Sequence, residues 1–247
     1  MRILHIAPGI SRRLGGPTSL LRGLVPVQRD RGHSVTVVAT DLFAESEEDR
    51  RVPGAEVRLV PLVGPGQLGY GRGLRQAIRA AVGDADLVHV HGVYSFAAVF
   101  GMREARRAGV PFLAAPHGVW TPDHRPHHPG LNAVWDRVLL RPAMRHAHVV
   151  VSDSRRDEGY LRERGYPRTD TMVLGVDPAL HRIDTAWKDR RGVLFLSRVA
   201  TKKRLDLALH AYARSGLAER GHPMVVGGPI EPDLPYDPEA LCRELGI

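Results

Sequence analysis

The chain has 247 residues, 43% of them hydrophobic and 25% charged, which is the composition of a globular protein with one large core or two modest ones. Its formal net charge of +8 favours anionic partners, such as nucleic acid, lipid headgroups or phosphorylated substrates, without selecting one of them. The single cysteine, Cys242, excludes an internal disulfide, and no apolar run approaches the roughly 18 residues of a membrane span, so we expect a cytoplasmic protein.

The chain begins with residues that predict a strand, a helix and a second strand. The apolar run from Arg2 to Ala7 has the composition of a strand, and Pro17 stands at the first position of a helix that Gly32 ends. We expect Pro26 to kink or split this helix, because proline removes a backbone donor and clashes with the preceding turn. The valines and threonine of residues 34–39 predict the second strand.

A glycine pair lies between the first strand and the helix. Gly15 and Gly16 allow the backbone to come close to a ligand at the helix N-terminus, although the same pair can simply form a tight turn. Residues 42–53, which follow the second strand, are acidic and are expected to form a surface loop.

Apolar runs and helical patterns alternate through the rest of the first half. We predict strands at 55–60, 86–91, 110–115, 148–152 and 171–174, and helices at 74–82, 95–108, 131–145 and 155–165. Such alternation is typical of a doubly wound parallel sheet. Residues 175–191 lack periodicity and carry Pro178 and many charges, so we place the domain boundary there, with domains at 1–175 and 176–247.

Histidines supply the polar candidates of the first half. His117 follows the 110–115 strand directly, where the crevice of a parallel sheet opens, and Gly118 allows a sharp exit. His89 and His91 alternate to one face of a strand and can simply be packed in the core. In the loop 120–130, three further histidines (His124, His127 and His128) do not lie on fixed elements of secondary structure, where zinc sites usually place their histidines, so we expect no metal.

The second half opens with a strand at 193–196, a basic loop and a helix at 204–214. Lysine occurs only at positions 188, 202 and 203, so two of the three lysines lie in this loop. Arginine offers a planar fork and lysine a compact point charge, so Arg198 and Lys203 together can clamp a diphosphate from two sides. The alternative is a solvated basic turn that caps the helix.

Two further elements, a strand at 223–226 and a helix at 238–245, complete the predicted second half. Two βα units are too few for a doubly wound domain of typical size, so we expect an incomplete domain with exposed apolar sheet edges.

Six short motifs follow one another along the chain. They are Gly15-Gly16-Pro17, Val88-His89-Val90-His91-Gly92, Pro116-His117-Gly118, Gly175-Val176-Asp177, Ser197-Arg198 with Lys203, and Gly227-Gly228-Pro229. In this order and spacing they resemble the motifs of the two-domain GT-B glycosyltransferases. The resemblance is to family 4, the retaining, nucleotide-sugar-dependent enzymes that make bacterial polysaccharides, glycolipids and small glycosides.

The resemblance implies an α/β, GT-B-like fold with an acceptor-side N-terminal domain and an incomplete, donor-binding C-terminal domain. By the same resemblance, Arg198 and Lys203 hold the donor diphosphate and His117 approaches the donor sugar as the catalytic residue. Gly15 and Gly16 are then expected near the phosphates or the acceptor. The donor substrate would be a nucleoside diphosphate sugar, with no cofactor and no metal, because fixed cations can stabilise the leaving diphosphate.

The chain departs from the family pattern in two places. Leu174 stands where an asparagine commonly precedes the Gly175 motif, and the donor-binding segment of two glutamates with seven residues between them has no clear counterpart. Glu231 and Glu239 have that spacing, but the prolines around them and their early place in the domain argue against the match.

Three functions remain open from the sequence. The first is a metal-independent glycosyltransferase of the hexosyltransferase type, acting on a carbohydrate, lipid-linked or small-molecule acceptor. The second is a GT-B nucleotide-sugar 2-epimerase, and the third is a truncated, non-catalytic binding module. The arginines can seat the protein on the inner face of an anionic membrane, whereas no aromatic interleaving or known motif supports specific nucleic-acid binding.

Overall fold

A computed structural model describes residues 1–118, 129–173, 175 and 191–247. Contacts divide the chain into two units, Met1–Asp177 and Pro178–Ile247. This division falls two residues after the boundary that we placed between 175 and 176. The histidines of the 120–130 loop, Leu174 and most of the Gly175 motif lie outside the described residues.

The first unit contains a seven-stranded sheet in which every neighbouring pair of strands is parallel. The strands are β1 (Arg2–Gly9), β2 (Ser34–Thr40), β3 (Glu56–Val60), β4 (Leu87–His91), β5 (Phe112–Ala115), β6 (Val149–Ser152) and β7 (Thr169–Thr171). Their order in the sheet is β3-β2-β1-β4-β5-β6-β7. The chain therefore proceeds to one side of β1 and then crosses to the other side, which places the topological switch point between β1 and β4.

Helices connect the strands. The described ones are α1 (Gly16–Asp30), α2 (Leu74–Gly83), α3 (Phe96–Ala108), α4 (Pro129–Trp135), α5 (Arg141–Met144) and α6 (Arg155–Glu163). None of the described helices combines the length and the apolar composition that a membrane-crossing helix needs.

Apolar side chains cover the sheet in two separate clusters. Val37 belongs to the cluster beneath α1, whereas Val38, the next residue along β2, belongs to the cluster beneath α2 and α3. Because successive strand residues point to opposite faces, the two clusters lie on opposite sides of the sheet. His5 alternates with the apolar Leu4 and Ile6 along β1, so its side chain points to the α1 face.

The second unit contains the two parallel strands β8 (Val193–Leu196) and β9 (Met224–Gly227) and the helices α7 (Leu205–Arg214) and α8 (Pro238–Leu245). All four elements lie within a residue of the predicted bounds. An apolar run of four residues such as 193–196 is typical of a buried strand, but Leu194 is 65% exposed and Leu196 is 75% exposed. The sequence analysis expected exposed apolar residues on this short sheet, and the structure shows them.

Three elements of the first unit differ from the sequence-based prediction. Pro26 does not split α1, which runs from Gly16 to Asp30 as one helix. The predicted helix at 131–145 is interrupted by the π-helical segment Asp136–Leu140. The last strand lies at Thr169–Thr171 rather than at 171–174. In this last case β-branched threonines pair with β6, while the more apolar residues after them lie beyond the strand.

Candidate functional site

The carboxyl ends of β1, β4 and β5 form the edge at which a parallel sheet binds ligands. The chain leaves β4 through Gly92, whose φ of 73° suits glycine, and the Gly92 N–H donates to the Ala115 carbonyl at the end of β5. His117 lies two residues beyond that point. The sequence-based placement of His117 at the opening of the sheet is therefore confirmed.

The glycine loop lies at the end of β1. Gly15 has φ 78° and ψ −137°, a backbone conformation open only to glycine, and it immediately precedes α1. Nothing lies within 4 Å of a side chain built at Gly15 or Gly16, so the loop faces open space rather than a packed neighbour. This arrangement leaves the first turn of a 15-residue helix accessible to an anion.

The acidic loop at 42–53 holds the glycine loop from one side. Asp49 accepts hydrogen bonds from the Ser11 hydroxyl at 2.9 Å and from the Arg12 N–H at 3.2 Å. Glu48 forms an ion pair with Arg12 at 2.6 Å, and Glu45 pairs with Arg13. Hydrogen bonds from Ser46 and Ser11 lower the pKa of Asp49 to about 2. The acidic loop thus has a structural partner, which the sequence alone did not identify.

His117 has a strained backbone and a largely buried side chain. Its φ of 54° is uncommon for a residue other than glycine, and such conformations cost of order 1–3 kcal/mol and concentrate at functional sites. The ring is 5% exposed and uses both nitrogens within the protein: Nε2 lies 3.2 Å from His91 Nδ1, and Nδ1 lies 3.4 Å from Asp153 Oδ1. The contact with Asp153 is the longer one and is the one that a ligand can replace.

A small hollow, with about 10 Å³ of space for a water-sized sphere, lies beside His117, between the end of β5 and α6. Ser154 caps α6 by accepting a hydrogen bond from the Asp157 N–H at 3.1 Å. Asp157 and Tyr160 of that helix line the hollow together with Gly118. The surroundings of His117 therefore include two carboxylates, Asp153 and Asp157.

Behind His117, histidines continue into the sheet. His91 Nε2 lies 2.9 Å from His5 Nδ1, and His5 Nε2 lies 2.9 Å from the side-chain oxygen of Gln28 on α1. His5 is fully buried and His91 is 2% exposed. The sequence analysis missed the connection from His5 to His117, although a histidine inside the apolar run of β1 was a visible signal.

Burial keeps these inner histidines neutral. It lowers the pKa of His5 to about 4 despite the hydrogen bond to the Gln28 oxygen, which acts in the opposite direction. Burial, reinforced by the neighbouring histidines, also lowers the pKa of His89 and of His91 well below the ordinary value.

The close approach of His5, His89 and His91 raises the question of a metal site. One ring nitrogen from each of His5, His89 and His91 lies within 4.8 Å of the others. However, the rings of His89 and His91 stack with centroids 4.1 Å apart and planes tilted by 29°. An imidazole binds zinc in its own ring plane at about 2.0–2.1 Å, and two stacked rings direct their lone pairs nearly parallel rather than toward one ion. The donor set therefore does not fit a metal, and the absence of a metal stays a prediction.

In the second unit, Arg198 and Lys203 lie in one basic loop, but of these two only Arg198 has an ion-pair partner among the described residues. Arg198 Nη1 donates to Glu231 Oε1 at 2.6 Å, an ion pair that the sequence analysis did not anticipate. Lys203 ends the 3-10 turn Thr201–Lys203 and is exposed, with no ion pair among the described residues. Arg204, the next residue, is paired with Asp206. Lys202 and Lys203 are thus the open cations of this loop within the described part of the chain.

A close backbone approach fixes the start of the basic loop. The Ser197 N–H donates to the Gly227 carbonyl at 3.0 Å, and a side chain at Gly228 would lie 1.9 Å from the Ser197 oxygen. Gly228 also has a φ of 139°. Glycine is therefore required at position 228 for the strand ends to meet beside Arg198.

Comparison with known proteins gives one family. The model of the Glycosyl transferase 4-like domain matches residues 15–177. A comparison with curated protein sequences gives no match.

Several solved structures share the fold of the chain. HepE from Anabaena, in complex with UDP, is 18% identical with a TM-score of 0.71, over 100% of this chain and 66% of HepE. The apo lipopolysaccharide outer core galactosyltransferase WaaB is 14% identical with a TM-score of 0.61, over 100% of this chain and 66% of WaaB. The UDP-N-acetylglucosamine 2-epimerase of Rickettsia bellii is 12% identical with a TM-score of 0.51, over 99% of this chain and 64% of the epimerase. The chain thus spans 66% or less of the length of each of these proteins.

Proposed function

Because the chain belongs to the glycosyl transferase 4-like family, we propose that it transfers a sugar from a nucleoside diphosphate sugar to an acceptor, with retention of the anomeric configuration. The open cations after β8 carry this proposal, since Lys203 is exposed and has no ion pair within the described residues. The UDP bound to HepE supports a uridine nucleotide as the first donor to test.

The reaction requires a group that responds to charge on the leaving diphosphate. When the bond between the anomeric carbon and the phosphate oxygen breaks, the electron pair stays on the diphosphate. A new bond forms to the acceptor oxygen, whose proton leaves with the diphosphate or passes to solvent. A fixed cation that interacts more strongly with the diphosphate as its charge grows lowers the barrier. Lys203 and Arg198 are proposed for this role, without a metal.

In this proposal Arg198 differs from Lys203 because it already has an ion-pair partner, Glu231, beside the diphosphate. Its Nη1 is engaged by Glu231, while the other guanidinium nitrogens make no hydrogen bond to a described residue. A diphosphate oxygen can bind these nitrogens beside Glu231 or displace the carboxylate. Both groups are partly exposed, so the ion pair is weak enough to be replaced.

In the first unit, His117 is proposed to approach the donor sugar, and the loop at Gly15 and Gly16 to lie near the phosphates or the acceptor. The 3.4 Å contact between His117 Nδ1 and Asp153 supports this role, because a sugar hydroxyl can insert there. The open first turn of α1 supports the role of the glycine loop.

Calorimetry with UDP tests the role of the basic loop. Replacement of Lys203 by alanine removes one charge-assisted contact to the diphosphate, so we expect Kd for UDP to rise by about tenfold or more. The matched control is Lys202→Ala, a lysine of the same exposed turn, for which we expect a smaller change. Equal affinity of wild type and Lys203→Ala for UDP would contradict the assignment.

A product assay tests the reaction itself. Incubation with UDP-sugars and a panel of carbohydrate, lipid-linked and small-molecule acceptors is expected to give a glycoside only when an acceptor is present, and NMR of its anomeric proton gives the stereochemistry. An altered nucleotide sugar formed without any acceptor would instead identify a 2-epimerase, and no turnover with retained UDP binding would indicate a binding module.

The paired helices α2 and α3 offer a surface for a lipid-linked acceptor. Arg75 and Arg79 of α2 and Arg103, Arg106 and Arg107 of α3 line shallow hollows on this surface. Arg75 and Arg107 are ion-paired with the buried Glu104, whereas Arg79, Arg103 and Arg106 have no ion pair to a described residue. Such arginines favour anionic headgroups by roughly 1 kcal/mol per residue near the membrane. Peripheral association is therefore proposed, and it predicts co-sedimentation with anionic vesicles that high salt abolishes.

A further inference from the structure

Four contacts join α1 to the candidate site through the interior of the sheet. From Gln28 to Asp153, they link Gln28 Oε1 to His5 Nε2 at 2.9 Å and His5 Nδ1 to His91 Nε2 at 2.9 Å. They then link His91 Nδ1 to His117 Nε2 at 3.2 Å and His117 Nδ1 to Asp153 Oδ1 at 3.4 Å. All six ring nitrogens of the three histidines are used, and we call this row the histidine chain.

The number of protons in the histidine chain follows from its two ends. The Gln28 carbonyl oxygen and the Asp153 carboxylate both accept hydrogen bonds. Every one of the four contacts must therefore take its proton from an imidazole. A neutral imidazole has a single N–H, so three neutral rings supply three protons for four contacts. With Gln28 Oε1 facing His5, the histidine chain is complete only when it holds one additional proton, and one of its rings is then an imidazolium.

We propose that Gln28, His5 and His91 are positioning residues that hold His117 as an imidazolium, which donates from Nε2 to His91 and from Nδ1 to Asp153. The added proton balances the charge of the Asp153 carboxylate. His5 and His91 then each carry a single proton on Nε2 and accept at Nδ1.

The surroundings place the charge at His117 rather than deeper in the sheet. His5 and His91 are buried among apolar residues and His89, and burial lowers the pKa of all three histidines. His117, by contrast, lies beside Asp153, which is 22% exposed. Among the residues that the structure describes, the groups that face His117 are His91 from β4, Asp153 after β6, and Asp157 and Tyr160 from α6.

The histidine chain also has an alternative state without the added proton. If the Gln28 amide turned its NH₂ group toward His5, it would supply the fourth N–H itself. All three imidazoles would then be neutral and protonated at Nδ1. Rotation of one side chain on α1 would thus reverse every proton position as far as His117, and would couple the helix behind the glycine loop to the candidate catalytic residue.

This inference rests on the proposed function for its meaning, since a cationic His117 would interact with an anionic donor. Its test is independent of turnover and of UDP binding. Two-dimensional ¹⁵N NMR of the imidazole rings at pH 7 reports which nitrogens carry protons. In the wild type we expect both nitrogens of His117 to be protonated, and His5 and His91 to be protonated at Nε2 only.

Substitutions at Gln28 sharpen the test. Gln28→Leu removes one accepting end, so three protons suffice: we expect His117 to lose one N–H, and the protons of His5 and His91 to move from Nε2 to Nδ1. Gln28→Glu keeps an accepting oxygen and should retain the wild-type pattern. Gln76→Leu, at an exposed position of α2, is the matched control and should also change nothing.

Each result decides the inference. A singly protonated His117 in the wild type would overturn it, as would identical proton positions in the wild type and in Gln28→Leu. Gln28 is only partly buried, so a folded Gln28→Leu protein is expected, and the wild-type spectrum is decisive without any variant. Failure of this test would leave the role of Lys203 untouched, and failure of the UDP titration would leave the proton pattern untouched.

Discussion

Single residues show how an acidic surface stretch becomes part of a candidate binding loop. Asp49 accepts from Ser11 and Arg12 and so fixes the backbone just before Gly15. The sequence predicted an acidic loop and a glycine loop separately, because periodicity and composition do not report contacts between residues 38 positions apart. Only the folded chain brings them together.

A low pH should weaken the hydrogen bonds that Asp49 accepts from Ser11 and Arg12. Hydrogen bonds lower the pKa of Asp49 to about 2 in the folded protein, below the value of about 3.9 expected in the unfolded chain. The stability that its ionised form contributes is therefore fully present above pH 4 and is lost as the pH falls toward 2. We expect Asp49→Asn to lower the thermal unfolding midpoint at pH 6, with a difference from wild type that shrinks as the pH approaches 2.

Thermal unfolding at pH 6, 4, 3 and 2 measures this effect. Ser11→Ala is the companion variant, because it removes one of the hydrogen bonds that lower the pKa of Asp49 and should show a weaker form of the same pH dependence. A difference in the thermal unfolding midpoint between Asp49→Asn and wild type that stays constant from pH 6 to pH 2 would rule out a stabilising role for these hydrogen bonds of Asp49.

For the candidate site, the sequence predicted positions better than partners. The end of β5 was predicted, and His117 is there; the loop after β8 was predicted, and Arg198 and Lys203 are both in it. The ion pair from Arg198 to Glu231 was not predicted, because it depends on how the segment after β9 returns past the basic loop. Strand ends are encoded locally, whereas side-chain partners depend on tertiary packing.

At the scale of elements, the ends of β8 and β9 meet through a glycine. Gly228 has a positive φ of 139°, and a side chain there would collide with the Ser197 backbone oxygen, 1.9 Å away. We expect Gly228→Ala to destabilise the protein by about 2 kcal/mol or more, since backbone rather than a flexible side chain must move. The same shift would displace Arg198, so UDP affinity should fall as well.

Gly159→Ala provides the control for this substitution. Gly159 lies inside α6 with nothing within 4 Å of an added side chain, so alanine there should stabilise the helix by roughly 0.5–1 kcal/mol. Urea unfolding of both variants gives the comparison. A Gly228→Ala protein as stable as the wild type would refute the requirement for glycine at that position.

Element types were predictable from sequence where the hydrophobic period was strong. The strands β1, β2, β8 and β9 and the helix α7 lie within one to two residues of the predicted bounds. The π-helical segment Asp136–Leu140 was not predicted, because its residues read as ordinary helix in sequence. Pro26 was expected to kink or split α1; it does not split the helix, in which it is half-buried. Here the packing of Leu21 and Val25 against the sheet outweighs the local cost.

For the whole molecule, the expected α/β, GT-B-like fold is confirmed by the parallel sheet and by the solved structures that share it. The two units differ in how much apolar surface they bury. The main cluster of the first unit draws on six strands and four helices, whereas in the second unit the cluster of fully buried residues consists of Val199, Leu205 and Leu209 among the described positions. A larger buried apolar area stabilises the first unit more strongly.

Hydrogen exchange should reveal this difference. We expect the amide groups of β8 and β9 to exchange through openings of lower free energy than those of β1 and β4, since few buried contacts hold the two-stranded sheet. Peptide-resolved exchange measured by mass spectrometry checks the order. Equal protection of the two sheets would show that the second unit is stabilised by more than its described core.

The most direct test of the account compares how wild type and Lys203→Ala bind UDP, UMP and uridine. If the basic loop after β8 binds the diphosphate, the wild type should bind UDP at least tenfold more tightly than UMP, and this preference should largely disappear in Lys203→Ala while the affinity for uridine stays the same. An undiminished preference for UDP in Lys203→Ala, or no preference in the wild type, would contradict the claim that this loop recognises the leaving group of a nucleotide sugar.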